Sequence, residues 1–205
     1  MNASNILMGC RIVPVVVIDD LTIAVPLAET LLSAGLEAIE VTLRTPVGIA
    51  AIEKIANEVP DMIVGAGSIR EAHQVKAVAS VGAKFAVSPG SSPTLLDAAE
   101  DDNMPFIPGA ASPTETLRLL ERGYTLQKLF PAEVTGGTEY LRAIGGPIPE
   151  VSFMPTGGIS TNNVSNYLAL DNVACVGGTW IAPKSLLADR NFAAIESLAV
   201  DAANF

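Results

Sequence analysis

Strand-like and helix-like segments alternate through this 205-residue chain at a spacing of about 25 residues, which predicts a parallel α/β fold closed into an eight-stranded barrel, the (β/α)8 or TIM-barrel architecture. Two further observations support that class. The strand-like runs number eight, and no Gly-x-Gly-x-x-Gly opens the first helix, so an open doubly wound sheet ranks second.

In chain order, strands are expected at Ile12–Ile18, Ala38–Leu43, Met62–Gly65, Phe85–Ser88, Met104–Ile107, Thr125–Phe130, Ser152–Pro155 and Val173–Gly177. Each is followed by a helical candidate, among them Thr22–Ala34, Gly48–Asn57, Ile69–Ser80, Pro93–Glu100, Pro113–Arg122 and Asn162–Leu168. End signals mark several of these helices. Ser92-Pro93 and Ser112-Pro113 fit an N-cap followed by proline in the first turn, while Gly35, Gly82 and Gly123 fit C-terminal caps. Right-handed crossovers between parallel strands can then close the sheet on itself.

Composition narrows the class of protein. The chain is 49% apolar and only 17% charged, and no low-complexity run or Ser/Gly-rich linker divides it, so residues 1–205 read as one domain. The formal net charge of −10 disfavours nucleic acid and anionic membrane as partners, because both require clustered Lys and Arg. The start, Met1-Asn2-Ala3-Ser4-Asn5, carries no basic region, and no apolar stretch is long enough to cross a bilayer. A cytoplasmic location is expected. Cys10 and Cys175 are too few for a disulfide framework, and Cys175, inside the eighth strand, is expected as a buried free thiol.

Lys128 is the residue that most needs a chemical reason. It lies within Thr125-Leu126-Gln127-Lys128-Leu129-Phe130-Pro131-Ala132-Glu133, an apolar strand ending at a proline-marked turn. A buried ammonium is costly unless it is paired or loses its proton, and the neutral amine is a nucleophile. The alternative is a strand-end lysine whose stem covers apolar surface while its head reaches water. Lys84 begins the fourth strand, at the stability face of a barrel, whereas Lys128 is near the C-terminal end of the sixth, where active sites form. Lys54, Lys76 and Lys184 read as solvated surface charges.

Ala38-Ile39-Glu40-Val41-Thr42-Leu43-Arg44-Thr45-Pro46 alternates strictly, so Glu40, Thr42 and Arg44 share one face of the second strand. In a closed barrel that face is the lumen, where charges need partners. Glu40 and Arg44 beside Lys128 would form either a proton-moving, carboxylate-holding set or an ion network without chemistry. Thr156-Gly157-Gly158 after the seventh strand and Gly177-Gly178-Thr179 after the eighth fit backbone sites for a phosphate, although glycine pairs also serve ordinary turns. Trp180 beside them reads either as a reporter of binding or as a packed aromatic. His73 is the lone histidine, on a helical stretch, and no His/Cys cluster offers zinc ligands.

Together with Gly65-Ala66-Gly67-Ser68, Phe85-Ala86-Val87-Ser88-Pro89-Gly90 and Ile107-Pro108-Gly109, these segments resemble the family of 2-keto-3-deoxy-6-phosphogluconate (KDPG) aldolases, also described as 4-hydroxy-2-oxoglutarate aldolases. The resemblance runs from Arg11-Ile12-Val13-Pro14-Val15 to Gly177-Gly178-Thr179-Trp180. It implies an α/β barrel, usually a homotrimer, that works as a lyase in carbohydrate metabolism, in the Entner–Doudoroff pathway. It also implies a Schiff-base mechanism with no metal or other cofactor, on a small-molecule keto-acid sugar phosphate. Residue by residue, Lys128 would form the imine, Glu40 would act as general acid and base, and Arg44 with Ser68 would hold the keto-acid carboxylate. Gly157, Gly158 and Thr179 would bind phosphate, and Thr42, Pro89, Phe130, Thr156 and Gly178 are further pocket candidates. The family pattern commonly has threonine at the position of Ser68 and serine at that of Thr179, and both changes keep a hydroxyl. Alternatives within reach of the sequence are an aldolase for the galactonate-derived substrate, a sugar-phosphate isomerase or epimerase that would not need Lys128, and a keto-acid binder without turnover.

Overall fold

A computed structural model describes residues 3–205. Met1 and Asn2, which opened the segment read as lacking a basic region, lie outside the described residues. The helices are α1 (Ala3–Ile6), α2 (Ala24–Ser33), α3 (Gly48–Glu58), α4 (Ala72–Ser80), α5 (Pro93–Asp101), α6 (Pro113–Glu121), α7 (Gly137–Gly145), α8 (Val164–Leu168), α9 (Lys184–Ala188) and α10 (Phe192–Ala203). The strands are β1 (Ile12–Val16), β2 (Ala38–Thr42), β3 (Ile63–Gly67), β4 (Phe85–Val87), β5 (Phe106–Ile107), β6 (Gly109–Ala110), β7 (Leu126–Leu129), β8 (Ser152–Pro155) and β9 (Val176–Gly178).

The cap signals act as read. Ser92 Oγ accepts from Leu95 N and Ser112 Oγ from Glu115 N, each at 3.3 Å, so both helices start at the proline. Gly35, Gly82 and Gly123 take φ of 92°, 93° and 86°, the left-handed turn that ends a helix. Helix α7 was not among the helices named from the sequence. It opens at Gly136-Gly137, both with positive φ, and a glycine pair reads as a turn.

All strand pairing is parallel, but it divides into a six-stranded sheet, β5-β4-β3-β2-β1-β9, and a three-stranded sheet, β6-β7-β8. The expected single eight-stranded ladder is therefore replaced by two. The division falls at Pro108, whose ring nitrogen has no N–H to give to a ladder. Before it, Ile107 O accepts from Ser88 N on the β4 side (3.2 Å), whereas Pro108 O accepts from Lys128 N on the β7 side (2.9 Å). At the other margin, β8 meets the last strand segment only through the parallel bridges Phe153↔Val173 and Thr156↔Gly177. The eighth strand accordingly begins at Val176 rather than Val173.

Strand periodicity separates two apolar clusters. Ile39, Val41, Ala86, Phe106, Leu129, Phe153 and Val176 face the helices and join the large outer core. Residues of the opposite parity, Val13, Ala38, Phe85, Val87, Ile107, Leu126 and Met154, form a smaller inner cluster with Cys10, Cys175 and the N-terminal Ala3 and Leu7. Glu40 and Thr42 share the face of Ala38, and Lys128 that of Leu126. The inner cluster is thus the apolar floor beneath the charged residues. Among the described residues, no helix is long and apolar enough to cross a membrane.

Two expected outcomes follow from this packing. A Cβ at Gly65 would overlap the Phe85 ring in the inner cluster, so Gly65→Ala should lower the stability to urea unfolding by about 1–3 kcal/mol, the scale of core overpacking. Burial pushes the Cys175 thiol up to about 12, with Cys10 and Glu40 adding to the effect, and burial followed by Glu37 raises Cys10. Both thiols should therefore resist iodoacetamide at neutral pH in the native protein and react once it is unfolded, as intact-mass measurement would show.

Candidate active site

Glu40 sits mid-strand in β2, between Val15 of β1 and Gly65 of β3, and is fully buried. Space for its carboxylate comes from Gly67 on β3, where a Cβ would overlap Glu40 Oε1. Lys128 in β7 lies between Gly109 of β6 and Met154 of β8 and is 5% exposed. Its Nζ donates to Glu40 Oε1 at 3.2 Å and Oε2 at 3.5 Å, bringing together residues 88 apart in sequence. The Phe130 ring centroid is 5.7 Å from the same nitrogen, within reach of a cation–π contact. Desolvating an ion pair costs about as much as the attraction returns, so the pair adds little to stability and is better explained by chemistry.

The other members of the β2 face separate. Thr42 is buried, and its hydroxyl donates to Val16 O at 2.9 Å, so it ties β2 to β1 and has no free proton to offer. Arg44, expected in the lumen, lies instead beyond the end of β2 and is exposed. The chain leaves the ladder there because Thr45 Oγ1 donates to Ile18 O at 2.6 Å and turns the segment away. Arg44 Nε donates to Ser68 Oγ at 3.0 Å. Ser68 follows Gly67 directly and holds φ at 58°, a conformation uncommon outside glycine. Arg44, Ser68, Leu43, Pro89 and Arg70 line an open cavity of about 380 Å³. This rim adjoins Glu40 through the hydrogen bond from Leu43 N to Gly67 O (2.8 Å).

The late glycine loops form a third group. Gly157 and Gly158 have φ of 104° and 81°, so both need the freedom of glycine, and a Cβ at Gly157 would sit 3.4 Å from the Phe130 ring. The Thr156↔Gly177 bridge sets this loop beside Gly177-Gly178-Thr179. Thr156 is buried, its Oγ1 lacks a partner among the described residues, and a Cβ at Gly177 would overlap it. Thr179 is exposed, while the Trp180 ring occupies the space a side chain at Gly178 would need. Glu133, at the end of the proline turn, accepts a hydrogen bond from the buried Tyr167 hydroxyl. Burial and that carboxylate raise the Tyr167 hydroxyl well above the usual phenol range.

Three residues of this region have no role in the sequence reading. Gly67 was visible within the Gly-Ala-Gly segment, but only the close approach of the Glu40 carboxylate, from the strand alongside, reveals its purpose. Arg70 follows the end of β3 and the left-handed Ser68, outside any strand, so no periodicity along the chain could have placed it beside Arg44. Tyr167 is 34 residues from Glu133 and gave no local signal. The lysines set aside in the sequence stay apart from the site: Lys84 is exposed just before β4, Lys54 pairs with Glu58 at 2.6 Å and Lys184 with Asp19 at 3.5 Å. His73 is exposed, 3.4 Å from Glu71. Among the described residues, no group of three or more His, Cys, Asp or Glu is arranged to hold a metal ion.

A model of the KDPG and KHG aldolases matches residues 3–198. A protein of Pseudoalteromonas atlantica named 2-dehydro-3-deoxy-phosphogluconate aldolase is 47% identical over 191 residues, which is 93% of this chain and 89% of that one. The KDPG aldolase of Legionella pneumophila, solved with pyruvate captured as a covalent carbinolamine, is 43% identical and superposes with a TM-score of 0.95 over 98% of this chain and 97% of its own. The 2-keto-3-deoxy-6-phosphogluconate aldolase of Zymomonas mobilis, solved with 3-phosphoglycerate, is 35% identical with a TM-score of 0.93, covering 99% of this chain and 95% of that one. By the extent of these matches and the residues they include, the chain belongs to the KDPG and KHG aldolase family.

Proposed function

We propose that this protein cleaves 2-keto-3-deoxy-6-phosphogluconate to pyruvate and glyceraldehyde 3-phosphate through an imine on Lys128, and that 4-hydroxy-2-oxoglutarate, which shares the pyruvate half, is a second substrate. The observation that carries this reading is a buried amine 3.2 Å from a buried carboxylate, in a chain 43% identical to an aldolase that holds pyruvate covalently. Glu40 takes a proton from Lys128 Nζ and frees its lone pair to attack the C2 ketone. The carbinolamine accepts a proton from Glu40 on its hydroxyl, loses water and becomes the protonated imine. Glu40, ionised again, accepts the C4 hydroxyl proton as the C3–C4 bond breaks and its electrons pass to the imine nitrogen, and it later returns that proton to C3 of the enamine. The aldehyde departs, and the enamine left behind is protonated at C3 and hydrolysed to pyruvate, restoring the amine. Each step balances without a metal or a redox partner.

Arg44 and Ser68 hold the carboxylate in this reading, since a guanidinium presents two parallel donors to it. Phe130 covers the imine, and Thr156, at the junction of the late loops, faces the departing half. Gly157 and Gly158 offer backbone N–H groups to the phosphate, with Thr179 adding a hydroxyl at the mouth. We also read the two sheets as one closed barrel. Strands of both contribute to the same inner cluster, and the chain at Pro108 bonds to β4 on one side and β7 on the other. The family resemblance brings a cytoplasmic homotrimer with it.

Incubation with pyruvate and cyanoborohydride should add the mass of a reduced pyruvyl imine to the peptide that carries Lys128, and an unmodified peptide would overturn the mechanism. Glu40→Gln should stay folded and turn over about a hundred-fold more slowly or worse in a pyruvate-coupled assay, the usual scale for losing a general acid–base group. Wild-type turnover in that variant would remove Glu40 from the proton path.

A further inference from the structure

Arg70 stands out among the charges outside the catalytic pair. It lines the same 380 Å³ cavity as Arg44, Ser68 and Pro89, and no carboxylate lines that cavity. Among the described residues its guanidinium makes no ion pair or hydrogen bond, in a chain whose net charge is −10. Arg122 is paired with Asp97 and Glu100, Arg142 with Glu139, and Arg190 with Asp20. Arg11 and Arg118, unpaired like Arg70 among the described residues, do not line this cavity, so it is the shared cavity with Arg44 that distinguishes Arg70. The nearest carboxylate in sequence, Glu71, is directed to His73.

The backbone that carries Arg70 is fixed. Ile69 is fully buried, and its N–H donates to Val87 O at 3.1 Å. Gln74 Oε1 accepts from the backbone N–H groups of Arg70 (2.8 Å) and Glu71 (3.1 Å), which sets the start of α4. Ile69 therefore anchors the segment in the core while the residues on either side of it, Ser68 and Arg70, border the cavity. Two guanidiniums in one cavity repel each other unless an anion lies between them, and their donors match a carboxylate.

We propose that Arg70 is a second carboxylate-binding residue of the active site, sharing the carboxylate of the keto acid with Arg44. This rests on the reading of Arg44 given above. Arg70 then confers selectivity for keto acids over neutral ketones, without taking part in the bond-breaking step.

Labelling of Lys128 by cyanoborohydride, followed by mass against concentration, tests this with pyruvate and with its neutral methyl ester, in the parent enzyme, Arg70→Met and Arg70→Lys. Arg70→Met should raise half-saturating pyruvate about ten-fold, the scale of one charge-assisted hydrogen bond, and leave the labelling rate at saturation unchanged. Its preference for pyruvate over the ester should shrink by the same factor, and Arg70→Lys, which keeps the charge but not the fork, should fall between. Parent-like half-saturation in Arg70→Met, or equal shifts for acid and ester, would overturn the role of Arg70 while leaving the imine mechanism standing. A parent enzyme that takes no label would overturn both.

Discussion

The contact between Glu40 and Lys128 constrains everything around it. Two opposite charges removed from water persist only where their geometry is held closely, because a small separation leaves each of them uncompensated in an apolar interior. The surrounding structure supplies that restraint. Glu40 is bracketed by β1 and β3, Lys128 by β6 and β8, and the space for the carboxylate depends on the missing side chain of Gly67. The apolar floor of Val13, Phe85, Ile107, Leu126 and Met154 lies beneath the pair, which is itself buried.

Strand parity makes this arrangement buildable. On β2, Ile39 and Val41 join the core under the helices while Ala38, Glu40 and Thr42 turn inward, and on β7 Gln127 and Leu129 face outward while Leu126 and Lys128 turn inward. Gln127 shows the outward side at work, since its side-chain amide donates to Thr116 O and Tyr124 O around α6. A slip of one residue in either strand would place an acid or a base against the helices. The buried ion pair and the hydrophobic core are therefore specified by the same register.

Much of this was legible in the amino-acid order because the informative signals are local. The alternation around Glu40, the isolated amine in an apolar run and the Ser-Pro helix starts each act within a few residues. Arg44 was misplaced because alternation extends a strand on paper past the point where Thr45 bonds to Ile18 and turns the chain. Pro108 was within view as part of Ile107-Pro108-Gly109, yet its effect on the ladder emerges only when β4 and β7 lie on either side of it. The link from Tyr167 to Glu133 and the overlap of Gly67 with Glu40 are tertiary facts, and no pattern along the chain encodes them.

The interior glycines carry a wider implication. At Gly65, Gly67, Gly109 and Gly177 even a methyl group would collide with Phe85, Glu40, the Pro89 backbone or Thr156, respectively. These four positions have no room for a side chain. Change at these strand positions is thereby coupled, because a side chain at any of the four glycines requires its neighbour across the sheet to shift or shrink.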